Sequence, residues 1–276
     1  MENYVLNDGL VLPKVGFGTF QLNGAKGVNE MVSGIQRGYR LLDSAFNYEN
    51  EGAVGQAVRL SGVARTDLLI ASKLPGRHYA YQDAINTIKE SLYRTGLDYF
   101  DLYLLHWPNP KRGQYVAAWQ ALIDAQKFGL IRSIGVCNFL PEHLDNLKAQ
   151  TGVLPVINQI ELHPYFNQKE QRAYDQENHI LTEDWSPLGR ASLVLKDKKL
   201  SEIAAKYSKN VGQLILRWEV QLGTLPIPKS SSPVRQAGNL DIFDFQISDD
   251  DMLAIDQLSK PDGRIENQDP AEYEEF

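Results

Sequence analysis

Short runs of apolar and β-branched residues recur along the chain, separated by amphipathic stretches. The runs at 40–44, 67–72, 100–106, 133–137, 156–161, 180–184, 225–228 and 241–245 read as eight strands. In Asp101-Leu102-Tyr103-Leu104-Leu105 nearly every position is apolar, the pattern of a parallel strand covered on both faces. The stretches at 28–37, 50–59, 82–94, 115–128, 141–148, 169–178, 201–207 joined to 211–221, and 249–258 read as helices. Ser248 before Asp249, Asp250 and Asp251 marks a helix start, because a hydroxyl and acids suit the free N–H groups there. Ahead of these units, Tyr4-Val5-Leu6 and Val11-Leu12-Pro13 flank Asn7-Asp8-Gly9, a hairpin signature able to plug one mouth of a barrel.

Eight strands alternating with helices, at about 34 residues per unit, give the rhythm of an α/β protein built as a closed (β/α)₈ TIM barrel. A doubly wound open sheet is the alternative. No Gly/Ser-rich or Pro-rich linker divides the chain, so residues 1–276 read as one domain, with an acidic tail at 272–276. The 276 residues, 43% hydrophobic and 23% charged, have an ordinary globular composition. With 28 Lys and Arg against 35 Asp and Glu, the net charge of −7 argues against nucleic acid or an anionic membrane as partner. A small molecule suits it better. One cysteine, Cys137, excludes an intrachain disulfide and a cysteine zinc cluster, and no secretory signal or ~18-residue apolar run is visible, which fits a cytoplasmic protein.

In a barrel, the C-terminal ends of the strands converge on one mouth. Asp43 ends the first predicted strand with Tyr48 five residues on, Lys73 ends the second, and His106 ends the third. Each alone is unremarkable: a turn aspartate, a solvated lysine, a packed tyrosine or histidine. Together they form a set able to activate a phenol. A Lys ammonium ~4 Å from a Tyr hydroxyl, at an effective dielectric of ~20, is worth about 4 kcal/mol, up to ~3 pK units. Lys73 is thereby placed to tune Tyr48, Asp43 to hold Lys73 charged, and His106 to polarise a carbonyl. None of these groups supplies electrons, so carbonyl reduction needs a hydride donor.

These residues, in their local context, resemble the aldo-keto reductases. Arg40-Leu41-Leu42-Asp43-Ser44-Ala45, Ala71-Ser72-Lys73-Leu74, Leu105-His106-Trp107-Pro108, Gly135-Val136-Cys137-Asn138-Phe139, Asn158-Gln159-Ile160-Glu161, Trp185-Ser186-Pro187-Leu188-Gly189 and Ile227-Pro228-Lys229-Ser230 match its motifs in order. The likeness runs over 16–245 and is greatest to the bacterial branch that includes the 2,5-diketo-D-gluconate reductases. It implies a barrel binding NADPH/NADP⁺ across its C-terminal mouth and reducing aldehydes and reactive ketones, such as dicarbonyls and keto-sugars. It implies that Asp43, Tyr48, Lys73 and His106 form a catalytic tetrad with Tyr48 as general acid, and that the protein is a monomer. It further implies that Asn138 and Gln159 hold the nicotinamide carboxamide and that Trp185 stacks on the ring. Lys229, Ser230 and Arg235 would hold the 2′-phosphate and Asn239 the adenine, with Gly18, Thr19, Ser186, Leu188 and Ser231 lying along the cofactor. Phe20, Phe46, Trp107 and Phe139 would wall the substrate, beneath a pocket left open by the short tail.

Two positions depart from the motifs: 137, commonly Ser, is Cys, and 238, commonly Glu, is Gly. A non-catalytic NADP(H)-binding or sensing subunit of the same fold is the alternative function. Tyr165 and Lys169 have the Tyr-x-x-x-Lys spacing of short-chain dehydrogenases, but no G-x-G-x-x-G turn accompanies them. His78, His143, His163 and His179 fall in no metal-binding motif, so no metal is expected.

Overall fold

The computed structural model describes residues 2–191 and 193–275. Strands β1 (Asn3–Val5) and β2 (Val11–Pro13) pair as an antiparallel hairpin whose turn uses Gly9 at φ +91°. The parallel strands are β3 (Phe17–Gly18), β4 (Leu41–Asp43), β5 (Leu69–Leu74), β6 (Phe100–Leu105), β7 (Ile131–Cys137), β8 (Ile157–Glu161), β9 (Leu181–Trp185) and β10 (Leu225–Pro226). Each pairs with the next in chain order. Gly16 N–H donates to the Pro226 carbonyl at 2.9 Å and Gly18 N–H to that of Pro228 at 3.4 Å, joining the two edges into a (β/α)₈ barrel.

Helices follow the strands: α1 (Gly24–Gln36), α2 (Glu51–Leu60), α3 (Tyr81–Thr95), α4 (Tyr115–Lys127), α5 (Pro141–Thr151), α6 (Lys169–Glu177), α7 (Lys198–Lys206), α8 (Val211–Leu222), α9 (Pro233–Leu240) and α10 (Asp249–Asp256). Alternation along each strand sends Leu102, Leu104 and Ile157 into the barrel, and Tyr103, Leu105 and Ile134 outward onto the helices. Leu6, Leu10 and Leu12 of the hairpin join the inner cluster. The hairpin contacts residues preceding or opening strands, Tyr4 through the Thr224 carbonyl and Asp8 through Ser133, so it plugs the N-terminal end and leaves the other mouth free.

The strand count is eight, but two assignments change. The first strand is Phe17–Gly18, and 241–245 is not a strand. A Cβ at Gly16 would lie 2.7 Å from Ile227 Cγ2, and one at Gly18 2.7 Å from the Ile227 carbonyl oxygen. The glycines that read as a turn are therefore what lets the first strand approach the last. With both edges joined, 241–245 has no edge to pair with; Ile242 is buried and Phe243 and Phe245 pack on the helices, which accounts for the alternation. Helix α9, absent from the sequence reading, starts at Ser232, whose Oγ accepts the Arg235 N–H, with Pro233 in the first helical position.

Several buried acids lie within the barrel wall. Burial pushes Asp184 up to about 8 despite the Thr224 hydroxyl, and Asp175 up to about 7 despite Gln171, Asn158 and Thr182; Glu183 is raised by burial and by Asp43. These carboxyls hold protons that the unfolded chain releases near pH 4. The folded state thus binds more protons across that window, and stability falls as pH rises through it. Thermal unfolding should show a midpoint at least roughly 3 °C higher at pH 5.5 than at pH 8.5. Asp184→Asn should flatten that slope; an unchanged slope contradicts the assignment.

Candidate active site

Asp43 closes β4 at the mouth, where its carbonyl accepts from both Thr19 N–H (3.0 Å) and Thr19 Oγ1 (2.8 Å). Asn50 holds the next turn by donating to the Thr19 carbonyl at 2.7 Å and accepting from Ser44 Oγ at 2.7 Å. Thr19 is therefore fully engaged within the protein. A 3₁₀ turn, Phe46–Tyr48, follows and ends on Glu49 at φ +53°, which brings the Tyr48 phenol back over the strand ends. Lys73 on β5 has no exposed surface, and its Nζ donates to both Asp43 oxygens at 2.7 and 2.6 Å and to the Ser44 carbonyl at 2.8 Å. It lies 3.4 Å from the Tyr48 hydroxyl. The His106 ring, just beyond β6, sits 6.0 Å from that of Tyr48 at 75°. The four residues read from the strand ends are thus neighbours at one mouth.

Electrostatics departs from the sequence expectation. Burial pushes the Tyr48 phenol up to about 12, outweighing Lys73, which pulls it down; Asp43 adds to the rise. Burial alone would also lower Lys73, but Asp43 overrides it and holds the ammonium well above its usual range. The phenol therefore keeps its proton across the neutral range, and the ammonium stabilises the charge left if that proton departs. The arrangement can donate a proton and polarise a carbonyl, but holds no reductant.

Gln159 commits both amide hydrogens to carboxyl oxygens, of Asp43 at 3.0 Å and of Glu183 at 2.8 Å, so only its carbonyl oxygen is left for a ligand. Asn138, at φ +62°, donates to the His106 carbonyl at 3.1 Å and accepts from Trp185 Nε1 at 2.8 Å, joining the ends of β6, β7 and β9. Ser186 (φ +53°) and Leu188 continue along the rim from Trp185. Across the barrel, Lys229, Ser230 and Ser231 lead into α9. Lys229 and Arg235 are exposed, and among the described residues neither has an acidic partner. Ser230 is buried and caps the loop by accepting the Ser232 N–H at 3.2 Å. Two free cations beside a helix N-terminus suit a phosphate. Asn239 is mostly buried next to Tyr39, and a Cβ at Gly238 would meet nothing within 4 Å, leaving open space where glutamate is common.

The substrate wall is smaller than expected. Phe20 is 48% exposed and packs edge-on to Tyr48 at 5.0 Å, while Trp107 meets Tyr273 in a tilted contact at 4.5 Å. Phe139, with no exposed surface, is core packing between Tyr115 and His143, because its backbone is pinned inward by Asn158. Phe46 instead packs against the Arg94 guanidinium, 3.9 Å from its ring centre, and His78. Cys137 is fully buried in the barrel interior, where burial pushes its thiol well above the usual range. Tyr165 bonds to Asp197 at 2.7 Å and carries Lys260 over its ring, so it forms no dyad with Lys169. Among the described residues no His/Cys/Asp/Glu group could hold a metal, and no helix is long and apolar enough to cross a membrane.

The acidic tail contains what the sequence reading missed. Glu275 is 6% exposed and its carboxylate lies 2.6 Å from His106 Nδ1. The sequence signal was two aromatics, Tyr273 and Phe276, set among three acids, Glu272, Glu274 and Glu275.

A barrel with this mouth belongs to the oxidoreductases that use a nicotinamide cofactor. More particularly, the chain belongs to the aldo/keto reductase family, whose model matches residues 14–260. It is 49% identical to 2,5-diketo-D-gluconic acid reductase B of Corynebacterium sp. (strain SHS752001), over 98% of this chain and 97% of that one. It is 40% identical to methylglyoxal reductase of Escherichia coli (strain K12), over 97% and 96%. Among solved structures, the aldo-keto reductase of Bombyx mori in complex with NADP superposes with a TM-score of 0.90 at 34% identity, covering 100% of this chain and 98% of that one. The cofactor is NADP(H), and the enzyme's substrates are small carbonyl compounds.

Proposed function

We propose that the protein reduces aldehydes and reactive ketones, dicarbonyls and keto-sugars among them, to alcohols, with Tyr48 as the general acid. The carrying observation is Lys73, fully buried, with its Nζ between the Asp43 carboxylate at 2.6 and 2.7 Å and the Tyr48 phenol at 3.4 Å. When bound, NADPH supplies the hydride that the carbonyl carbon accepts. The chain fits that cofactor: Lys229 and Arg235, cations without an acidic partner among the described residues, flank a helix N-terminus for its 2′-phosphate, with Ser230 and Ser231 between them. Asn138 and Gln159 would meet the carboxamide, and Trp185, fixed through Nε1, would offer its ring face.

His106 donates to the carbonyl oxygen and draws electron density from the carbon. Negative charge then grows on the oxygen, a far stronger base than a phenolate, and Tyr48 gives up its proton. Lys73 lowers the cost of the phenolate left behind, and Asp43 keeps Lys73 charged and in place. The relatives, a 2,5-diketo-D-gluconic acid reductase and a methylglyoxal reductase, support small dicarbonyl and keto-acid substrates. NADPH absorbance followed with methylglyoxal, a keto-sugar acid and an aromatic aldehyde tests this. Turnover of at least one is expected; tight NADPH binding with no turnover of any would make the protein a binder.

A further inference from the structure

Glu275 is bound to the mouth through every polar atom it offers. Its Oε2 accepts the Gly76 N–H at 2.9 Å, and its Oε1 accepts Asn47 Nδ2 at 2.7 Å and lies 2.6 Å from His106 Nδ1. The Asn109 amide clasps its backbone on both sides, donating to the Glu275 carbonyl at 2.9 Å and accepting its N–H at 3.2 Å. The clasp requires glycine at position 76, where a Cβ would lie 2.3 Å from Asn109 Nδ2. Burial alone would raise the Glu275 carboxyl, but the His106 ring, the Gly76 N–H and Asn47 hold it below its usual range. A charged acid is therefore fixed behind the imidazole.

We infer that Glu275 is a positioning residue for His106, holding the ring by Nδ1 so that Nε2 is presented to the substrate carbonyl. This rests on the carbonyl-polarising reading of His106. The carboxylate sits off the straight N–H line, so Nδ1 and Oε1 are in close contact without a linear hydrogen bond. At that separation two lone pairs would repel, so Nδ1 carries the hydrogen. Nε2 can then donate as well only from the doubly protonated ring, whose charge a carboxylate at this distance would balance. The side chain thus fixes the orientation of the ring, as outer partners of metal-bound histidines do.

The test is a double-mutant cycle on the full-length protein, with NADPH and methylglyoxal. Glu275→Gln keeps the size and an acceptor for Gly76 but removes the charge. It should lower kcat roughly 10- to 100-fold, with NADPH affinity within about twofold and an unchanged circular dichroism spectrum. In a His106→Ala background the same substitution should change kcat less than about twofold. Equal losses in both backgrounds would mean that the tail merely braces the loops, and a Glu275→Gln rate like wild type beside an impaired His106→Ala would also overturn the inference. If His106→Ala itself turns over normally, the underlying reading of His106 fails and this inference with it.

Discussion

Replacing Tyr48 with Phe should lower kcat about 10²- to 10⁴-fold, the usual worth of a positioned general acid, while the NADPH dissociation constant stays within about twofold. The phenol and Lys73 Nζ are 3.4 Å apart, so the substitution removes one acceptor from an ammonium that still holds both Asp43 oxygens and the Ser44 carbonyl. Lys73 is therefore not stranded, and the fold around it should stand. The ring keeps its edge-on contacts with Phe20 and His106, since only the hydroxyl is lost. What disappears is the proton that neutralises the developing alkoxide. With the wild-type phenol at about 12, that proton is present throughout any assay between pH 6 and 9, so the deficit should be uniform across that range. Steady-state rates across pH, with NADPH binding followed by protein fluorescence, make the measurement. A Tyr48→Phe enzyme at the normal rate would remove Tyr48 from the mechanism.

The same geometry explains what the sequence could and could not reveal. Asp43, Lys73 and His106 were legible because they terminate strands, and strand ends in a barrel share a mouth. Their distances follow from parallel pairing alone: Asp43 opposes Ala71 on β5, two residues before Lys73, which opposes Leu104 of β6. Glu275 was not legible. Its position depends on a tail that bonds to three loops, and nothing in a run of polar residues encodes which loop it meets. Phe17–Gly18 failed for a different reason: two residues, one of them glycine and preceded by Gly16, give no period, and the strand exists because the closing barrel needs a backbone without side chains at 16 and 18. At Tyr48 the Coulomb attraction of Lys73 is outweighed by the larger penalty of burying a phenolate, and strand-end spacing carries no sign of that burial. The tail, expected to leave the pocket open, sets Tyr273 against Trp107, with ring centres 4.5 Å apart.

Lys229→Ala should weaken NADPH roughly 10- to 100-fold, the cost of one charge-assisted hydrogen bond, and leave NADH nearly unaffected. Because the two cofactors differ only in the 2′-phosphate, the effect should appear as a loss of discrimination rather than of maximal rate. Lys229 is exposed and without an acidic partner among the described residues, so removing it strands no buried charge and costs little stability. Arg235→Ala should act similarly, with a further feature: Arg235 sits in the first turn of α9, where a cation is unfavourable to the helix dipole when no anion is bound. Its removal should thus leave the free protein as stable or slightly more so, while stripping the planar fork that can grip two phosphate oxygens at once. The double substitution should bring NADPH and NADH close to parity, and salt should weaken wild-type NADPH binding more than that of the double variant. Fluorescence titration of both cofactors into the three variants, at low and high ionic strength, decides the matter. Unchanged discrimination in the double variant would place the 2′-phosphate elsewhere, and the pair of cations at the start of α9 would need another anion to explain them.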